Sequence, residues 1–136
     1  MSILGLDYGD ARIGVAVSDE LHLTSLPLRT IENSCLEEVL EELTDIVEKH
    51  DIEKIVVGLP LHMDGGRGER AEITEKFVDD LRENLHLPVI LMDERLTSAE
   101  IEKVLLKADL SRAARKRKRD KLAASLILRK YLESID

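Results

Sequence analysis

Apolar positions near the N-terminus form short segments that predict extended structure. Residues 2–8 and 12–18 are two such segments, separated by a turn that contains glycine, and residues 28–32 form a third. Short apolar segments bounded by turn-forming residues are typical of β-strands, and a tight connection makes consecutive strands neighbours. The chain is therefore predicted to begin with three antiparallel strands.

Helical spacing of apolar positions alternates with continuous apolar runs in the rest of the chain. Continuous runs of this kind are typical of strands buried on both faces of a parallel sheet. We predict helices over residues 34–50, 71–85, 97–107 and about 119–132, and strands over residues 54–60 and 88–95. The predicted fold is one α/β domain spanning residues 1–136, a mixed five-stranded sheet with helices on both faces and the element order β-β-β-α-β-α-β-α.

Polar residues mark several of the predicted helix starts. Ser34, followed by Glu37, has the spacing of a capping box, and Thr97 stands in the same relation to Glu100. Asp120 opens the last predicted helix. Because Asp120 shares a helix face with apolar residues, we expect it to point toward the sheet.

Composition narrows the class of protein. Aromatic residues make up 2% of the chain, which argues against the stacking platforms that single-strand binders use. No apolar run reaches the roughly 18 residues of a membrane span, and the N-terminus reads as a strand and not as a signal peptide. The single cysteine, Cys35, is typical of a protein from the reducing cytoplasm. No histidine or basic residue lies near it in the sequence, so we do not predict it to be a nucleophile. We predict a cytoplasmic protein with no membrane partner.

Charge is segregated along the chain. The net charge is −8, yet residues 112–121 hold seven Lys or Arg and a single acid. The acids concentrate instead in the predicted helices at 34–50 and 71–85. A basic run on an acidic chain indicates a polyanionic partner, although a solvated loop would carry the same charges. The candidate nucleic-acid-binding residues in this run are Arg115, Lys116, Arg117, Lys118 and Arg119.

Carboxylates occupy positions where a sheet could bring them together. Asp7 lies inside an apolar segment, where an unpaired buried charge is costly. Asp93 and Glu94 end the last predicted strand, at the edge where open α/β sheets place their sites. If these acids converge with Asp120, they repel one another unless a cation sits among them or one of them stays protonated. Oxygen ligands of this type suit Mg²⁺ or Mn²⁺. Two such ions would activate a water and stabilise the leaving oxygen in phosphodiester hydrolysis.

Each acid also has a simpler interpretation. Asp7 could form a turn, because a lone aspartate near a strand end commonly does so. Asp120 could cap its helix, where the macrodipole favours a carboxylate. The acids at 93–94 could bond to Arg95 or to the cap of the next helix. Spacing alone leaves these alternatives open.

Four segments resemble the YqgF family, also called RuvX, of the RNase H-like superfamily. They are "GLDYGDARIGVAVSD", "VVGLPLHMDGGRGERA", "DERLTS" and "RDKLAASLILRKYL". Each is weak by itself, but the four occur in the right order and cover nearly the whole chain. The resemblance implies an RNase H-like fold. It also implies the activities described for the family, which are Holliday junction resolution or, in bacteria, maturation of the 5′ end of pre-16S rRNA.

The resemblance further implies roles for individual residues. Asp7 would be the metal ligand on the first strand, and the acid of "DERLTS" and Asp120 would complete the site. Strand alternation lets only one of two adjacent side chains face the site, and we choose Glu94, with Asp93 as the alternative. The residues implied to face the substrate or to lie near the site are Arg12, Arg95, Gly58, Pro60, Asp64 and Gly65.

Two positions depart from the family pattern. The predicted strand at 54–60 has no acid, whereas related resolvases and RNase H carry one on or near the fourth strand or first helix. The site would then have three carboxylates and bind a second metal ion more weakly. His62 stands where relatives often have asparagine, which leaves the contact made by that loop open.

The function we predict is that of a metal-dependent endonuclease for structured nucleic acid, with pre-16S rRNA as the preferred substrate. One alternative is a Holliday junction resolvase acting on branched DNA, for which a homodimer would supply two symmetric cuts. Another is a non-catalytic RNA-binding factor in ribosome assembly. An ATPase of the actin or sugar-kinase type needs two RNase H-like halves, and this chain has room for one.

Overall fold

The computed structural model describes residues 1–60, 66, 68–93 and 112–135, with the backbone alone described from 112 to 121. Five strands and three helices lie within these residues. The strands are β1 (Ser2–Tyr8), β2 (Arg12–Ser18), β3 (Ser25–Glu32), β4 (Ile52–Leu59) and β5 (Val89–Asp93). The helices are α1 (Leu36–His50), α2 (Glu69–Leu85) and α3 (Arg112–Ser134). The helix predicted at 97–107 lies outside the described residues.

The strands form one mixed sheet in the order β3-β2-β1-β4-β5. β2 is antiparallel to both β1 and β3, whereas β4 is parallel to both β1 and β5. The carboxyl ends of β1, β4 and β5 therefore meet at one edge of the sheet, here called the carboxyl edge. The predicted α/β class and five-stranded mixed sheet are confirmed.

Side chains alternate between two apolar clusters, one on each face of the sheet. On one face, α1 and α2 cover Leu4, Leu6 and Val57, with Leu43 and Leu81 among the helical contributors. The cluster on the other face joins the sheet to α3, and its buried members are Ile3, Ala16, Val56, Ala124, Ile127, Leu128, Tyr131 and Leu132. Among the described residues, no helix combines the length and hydropathy of a membrane span.

The start of α1 corrects one sequence prediction. The N-cap is Cys35, which makes no side-chain capping bond, so Ser34 and Glu37 do not form a capping box. The Ser34 hydroxyl instead donates to a carboxylate oxygen of Glu38 at 2.6 Å. Because Ser34 lies one residue before the cap, its side chain reaches the first turn four residues on.

Three elements begin slightly earlier than their apolar pattern predicts. β3 begins at Ser25, three residues before the predicted segment, and β4 and α2 begin at Ile52 and Glu69, each two residues early. Most of the residues added to β3 and α2 are exposed, so they do not contribute to the buried apolar face from which these elements were predicted. The predicted ends of α1 at His50 and α2 at Leu85 are confirmed.

Helix α3 begins at Arg112, seven residues before the predicted start. The basic run is therefore helical and is not a loop. Asp120 lies in the third turn, so it neither opens nor caps the helix. Ala, Lys and Arg are strong helix formers, and they continue the helix through a stretch that has no apolar periodicity.

The packing of α3 fixes its direction across the sheet. The Lys54 ammonium, near the start of β4, donates to the Tyr131 hydroxyl at 2.9 Å. Nearer the middle of β1, a Cβ on Gly5 would lie 3.0 Å from the carbonyl oxygen of Ala124. At the start of β3, the Ser25 hydroxyl donates to the carbonyl oxygen of Ser125 at 2.8 Å. Helix α3 therefore crosses the sheet obliquely, from β3 over β1 to β4, on the face opposite to α1 and α2.

Candidate functional site

Asp7 is the penultimate residue of β1 and is half-buried at the carboxyl edge. Ile3 belongs to the apolar cluster on the α3 face, and Leu4 and Leu6 belong to the opposite cluster. Side chains alternate along a strand, so Asp7 shares the face of Ile3. The Asp7 carboxylate therefore lies on the side of the sheet that α3 covers.

Glycine flanks Asp7 on both neighbouring strands. Its antiparallel partner on β2 is Gly14. On β4, Gly58 follows Val57, which is the parallel partner of Leu6. Neither of these two glycines places a side chain beside the Asp7 carboxylate. The oxygen donor chemistry of this carboxylate fits Mg²⁺ or Mn²⁺, which keep several bound waters.

The alternation of β5 separates the two acids at its end. Leu91 packs with the cluster on the α1 and α2 face, whereas Ile90 and Met92 pack with the α3 cluster. Asp93 is the last residue of β5, is exposed, and falls on the face opposite to Asp7. Glu94 lies outside the described residues.

Asp120 is described in its backbone only. Gly5 and Ala124 mark a point where β1 and α3 touch. Asp7 lies two residues after Gly5 on β1, and residue 120 lies four residues before Ala124 on α3. Asp7 and residue 120 are therefore each a few residues from the same contact between β1 and α3.

Asp7 is the only one of the three predicted metal ligands whose side chain is described. Across the described part of the chain, no three His, Cys, Asp or Glu side chains are grouped as a metal site. The metal site built from Asp7, Glu94 and Asp120 therefore stays a prediction.

The predicted substrate-facing residues are divided between described and undescribed segments. Arg12 is half-buried and lies two residues before Gly14 on β2, which puts it on the same face as Asp7. Gly58 is buried beside Met92, and Pro60 follows β4 directly. The remaining loop and strand-end candidates outside the described residues are His62, Asp64, Gly65 and Arg95. Residues 115–119 are described as helix, without their side chains.

Charge is distributed unequally between the two faces of the sheet. α1 and α2 each carry six carboxylate residues, against one Lys in α1 and three Lys or Arg in α2. α3 carries nine Lys or Arg and two acids. A polyanion is therefore repelled from the α1 and α2 face and attracted to the face that holds Asp7.

Two further residues near this site were not found by sequence reasoning. Arg70 and Asn33 both contact the turn that connects β1 to β2, directly after Asp7. Arg70 is some sixty residues away from that turn in the sequence. No periodicity or spacing connects such distant positions, so only the folded chain reveals the contacts.

Comparison with known proteins gives close relatives over nearly the full length. A protein of Halothermothrix orenii is 49% identical over 132 residues, covering 97% of this chain and 94% of the relative. A protein of Desulforudis audaxviator is 45% identical over 134 residues, covering 98% and 95%. Both carry the name "Putative pre-16S rRNA nuclease".

Solved structures with the same fold are more distant in sequence. Thermus thermophilus RuvC in complex with a Holliday junction substrate matches with a TM-score of 0.62 and 16% identity, covering 99% of this chain and 95% of the other. Fowlpox virus resolvase, in complex with Holliday junction DNA, matches with a TM-score of 0.60 and 12% identity, covering 99% of each chain. These similarities confirm the predicted RNase H-like fold.

The family itself follows from a direct match of the sequence. The pattern of the RuvX family, described as Holliday junction resolvase, matches residues 1–134. This range includes all four segments on which the resemblance was based. The chain belongs to the RuvX family.

Proposed function

We propose that this chain is a divalent-metal-dependent nuclease that hydrolyses phosphodiester bonds in structured nucleic acid, and that its substrate is the 5′ end of pre-16S rRNA. The observation that carries the proposal is the position of Asp7. It is a half-buried carboxylate at the carboxyl edge, flanked by glycine on both neighbouring strands and directed to the face of basic helix α3. The names of the close relatives and the RuvX family membership support the same activity.

The chemistry assigns a distinct task to each group of residues. Asp7, with Glu94 and Asp120, would hold Mg²⁺ or Mn²⁺, with two ions in the substrate complex. Metal held there supplies an activated water and stabilises the leaving oxygen. Arg12 and Arg95 would hold the phosphate group, because a guanidinium can donate two parallel hydrogen bonds to its oxygens.

Binding of the rest of the substrate is assigned to α3. Its basic run, including residues 115–119, begins at the helix start and belongs to the helix that covers the face of Asp7. Lysine and arginine that neutralise phosphates release counterions, which gives affinity without sequence specificity. Structured RNA would then be oriented by the helix, with the scissile phosphate at Asp7.

Oligomeric state and location follow from the choice of substrate. Trimming one RNA end needs one active site, so the pre-16S rRNA assignment requires no dimer. Resolution of a Holliday junction is a second candidate, favoured by the description of the RuvX family, and would require two sites in a homodimer. Processing of rRNA places the protein in the cytoplasm, as the single cysteine also predicts.

The decisive experiment is cleavage of a 5′-extended 16S rRNA fragment by the purified protein. Reactions contain Mn²⁺, Mg²⁺ or chelator, with Asp7→Asn beside the wild type. Asp45→Asn is the matched control, because Asp45 is an exposed carboxylate on the opposite face. We expect metal-dependent cleavage by the wild type and the control, and none by Asp7→Asn, which should still bind the RNA.

Other results would assign the protein differently. Cleavage of four-way DNA junctions but not of the RNA would select the resolvase. Metal-independent RNA binding without cleavage of either substrate, unchanged by Asp7→Asn, would overturn the nuclease and favour a non-catalytic assembly factor. Equal cutting by the wild type and Asp7→Asn would indicate a contaminating nuclease and would remove the role of Asp7.

A further inference from the structure

The turn between β1 and β2 begins two residues after Asp7 and is closed by backbone hydrogen bonds. The amide of Gly9 donates to the carbonyl oxygen of Arg12 at 3.0 Å. A Cβ on Gly9 would lie 2.5 Å from that same oxygen, so the turn closes this tightly only around glycine. Asp7 lies two residues before the turn and Arg12 lies at its end, so a displacement of the turn would shift both residues.

Asn33 holds the turn from the end of β3. Its backbone amide donates to the carbonyl oxygen of Ala11 at 2.9 Å, and its side-chain amide donates to the carbonyl oxygen of Gly9 at 2.8 Å. A single residue thereby satisfies two carbonyl groups of an exposed turn. The turn is thus attached to the antiparallel side of the sheet.

Arg70 holds the same turn from the other side. It is the second residue of α2, and its Nη2 donates to the carbonyl oxygen of Tyr8 at 3.2 Å. Its Nη1 pairs with the Asp10 carboxylate. The Tyr8 ring packs on Phe77 of α2, with the ring centroids 4.2 Å apart and the planes at 30°. Both the backbone and the side chain of the residue after Asp7 are therefore held by α2.

We propose that Arg70 is a positioning residue for the active site, and the inference rests on the proposed nuclease function. By holding the Tyr8 carbonyl and Asp10 together, its guanidinium fixes the last peptide units of β1, and with them the Asp7 carboxylate and Arg12. Misplacement of a reacting group by about 1 Å can cost on the order of 100-fold in rate.

An exposed ion pair of this kind contributes little to global stability. The effect of Arg70 on the position of Asp7 can therefore be measured separately from its effect on stability. The Arg70 side chain is 43% exposed and that of Asp10 is 81% exposed. We expect Arg70→Gln to unfold at nearly the wild-type urea concentration. Loss of the Arg70 guanidinium should change the exchange of the turn amides and the affinity for metal, and it should leave the free energy of unfolding nearly unchanged.

The test compares Arg70→Gln and Arg70→Lys with a matched control, Arg82→Gln. Arg82 lies on the same helix and donates to the carbonyl oxygen of Val89 at 2.7 Å, at the far end of the sheet. It also pairs with an acid, Asp79, at 3.7 Å. A general effect of removing an arginine that links α2 to a strand would therefore appear in both variants.

Three measurements are made on each variant. Amide hydrogen exchange of Gly9 and Asn33 should become about 10-fold faster in Arg70→Gln. Mn²⁺ affinity of the protein alone, read by electron paramagnetic resonance, should fall roughly 10-fold, as for residues that orient metal ligands. The kcat for RNA cleavage should fall about 10- to 100-fold at nearly constant KM. Arg70→Lys should recover only part of each loss, and Asp10→Asn should show a smaller loss in the same direction.

The outcomes separate this proposal from the proposed function. Unchanged exchange at Gly9 and Asn33, or faster exchange with unchanged Mn²⁺ affinity and kcat, would overturn the positioning role. A higher KM at constant kcat would make Arg70 a substrate-binding residue and would overturn it as well. If the wild type cleaves neither RNA nor DNA, the nuclease fails, while the exchange and Mn²⁺ measurements still decide whether Arg70 positions Asp7.

Discussion

Gly5 on β1 and Leu128 on α3 approach so closely that a Cβ on Gly5 would lie 2.7 Å from the Cβ of Leu128. The same added atom would lie 3.0 Å from the carbonyl oxygen of Ala124. Neither neighbour can swing aside, since one belongs to the helix backbone and the other is attached to it. The absence of a side chain at Gly5 therefore sets the distance between α3 and the sheet.

Gly5→Ala is expected to push α3 away from the sheet and to lower the free energy of unfolding by about 1–3 kcal/mol. Cleavage should fall as well, because the displaced helix carries Asp120. Urea unfolding and the RNA cleavage assay measure the two effects. Thr44→Ala, an exposed change on α1, is the control and should stay within about 0.5 kcal/mol of the wild type. Wild-type stability in Gly5→Ala would contradict this close packing.

The two acids at the end of β5 are expected to differ in their effect on activity. Glu94→Gln should abolish metal-dependent cleavage, whereas Asp93→Asn should leave it within a few-fold of the wild type, because Asp93 falls on the face opposite to Asp7. Single-turnover cleavage at saturating Mn²⁺ measures both. Loss of activity in Asp93→Asn alone would reverse the assignment and would require the strand to twist or bulge after Met92.

The basic run is expected to determine the salt dependence of binding. Changing Arg115, Lys116 and Arg117 together to alanine should weaken RNA binding. It should also reduce the slope of log affinity against log salt by about 2 to 3 units, if each residue neutralises one phosphate. Arg129→Ala is the control, since Arg129 lies at the other end of α3 and pairs with Glu133 at 3.2 Å. An unchanged slope would exclude this part of α3 from the interface.

Asp19 gives the turn between β2 and β3 a dependence on pH. Its carboxylate accepts the backbone amides of Thr24 and Leu23, each at 2.8 Å. These hydrogen bonds, the one from Thr24 foremost, hold the pKa of Asp19 below its ordinary value of 3.8. A lowered pKa stabilises the folded state above the unfolded pKa, and this contribution is lost as the pH falls through the folded one.

Asp19→Ala should therefore lower the melting temperature at pH 7 relative to the wild type. The difference should shrink as the pH falls below 3.8, because protonation removes the same interaction from the wild type. Thermal denaturation between pH 2.5 and 7 measures the effect, with the exposed neighbour substitution Glu20→Ala for comparison. If the difference in melting temperature between the wild type and Asp19→Ala stays constant over this range, the charge of Asp19 does not contribute to stability.

Burial explains how much of this fold the sequence predicted. β1 and β2, with the ends of α1 and α2, were found where apolar side chains repeat against the sheet. The start of α3 was wrong by seven residues because residues 112–121 show no apolar repeat. A repeat of apolar residues reveals a helix that packs one apolar face against the core. The same repeat is absent from a helical segment without such a face, and the segment is then missed.

The candidate site was predictable only in part, for a related reason. Asp7 stands out as a charge among apolar neighbours, and its face follows from strand alternation. The glycines beside it, Gly14 and Gly58, become its neighbours only through strand pairing. The contact between Arg70 and Asp10 joins two exposed polar residues that are distant in sequence, and no pattern in the chain indicates it.

The two faces of the sheet are expected to evolve at different rates. Of the described helices, α1 and α2 cover the face that lacks Asp7. Apart from the start of α2, where Arg70 contacts the end of β1, the exposed residues of these two helices can change without moving that strand end. The inner side of α3 has no such freedom, because one added methyl group at Gly5 would shift the helix that borders the reaction. Variation among relatives should therefore accumulate on the acidic helices, and residues 5, 124 and 128 should vary least.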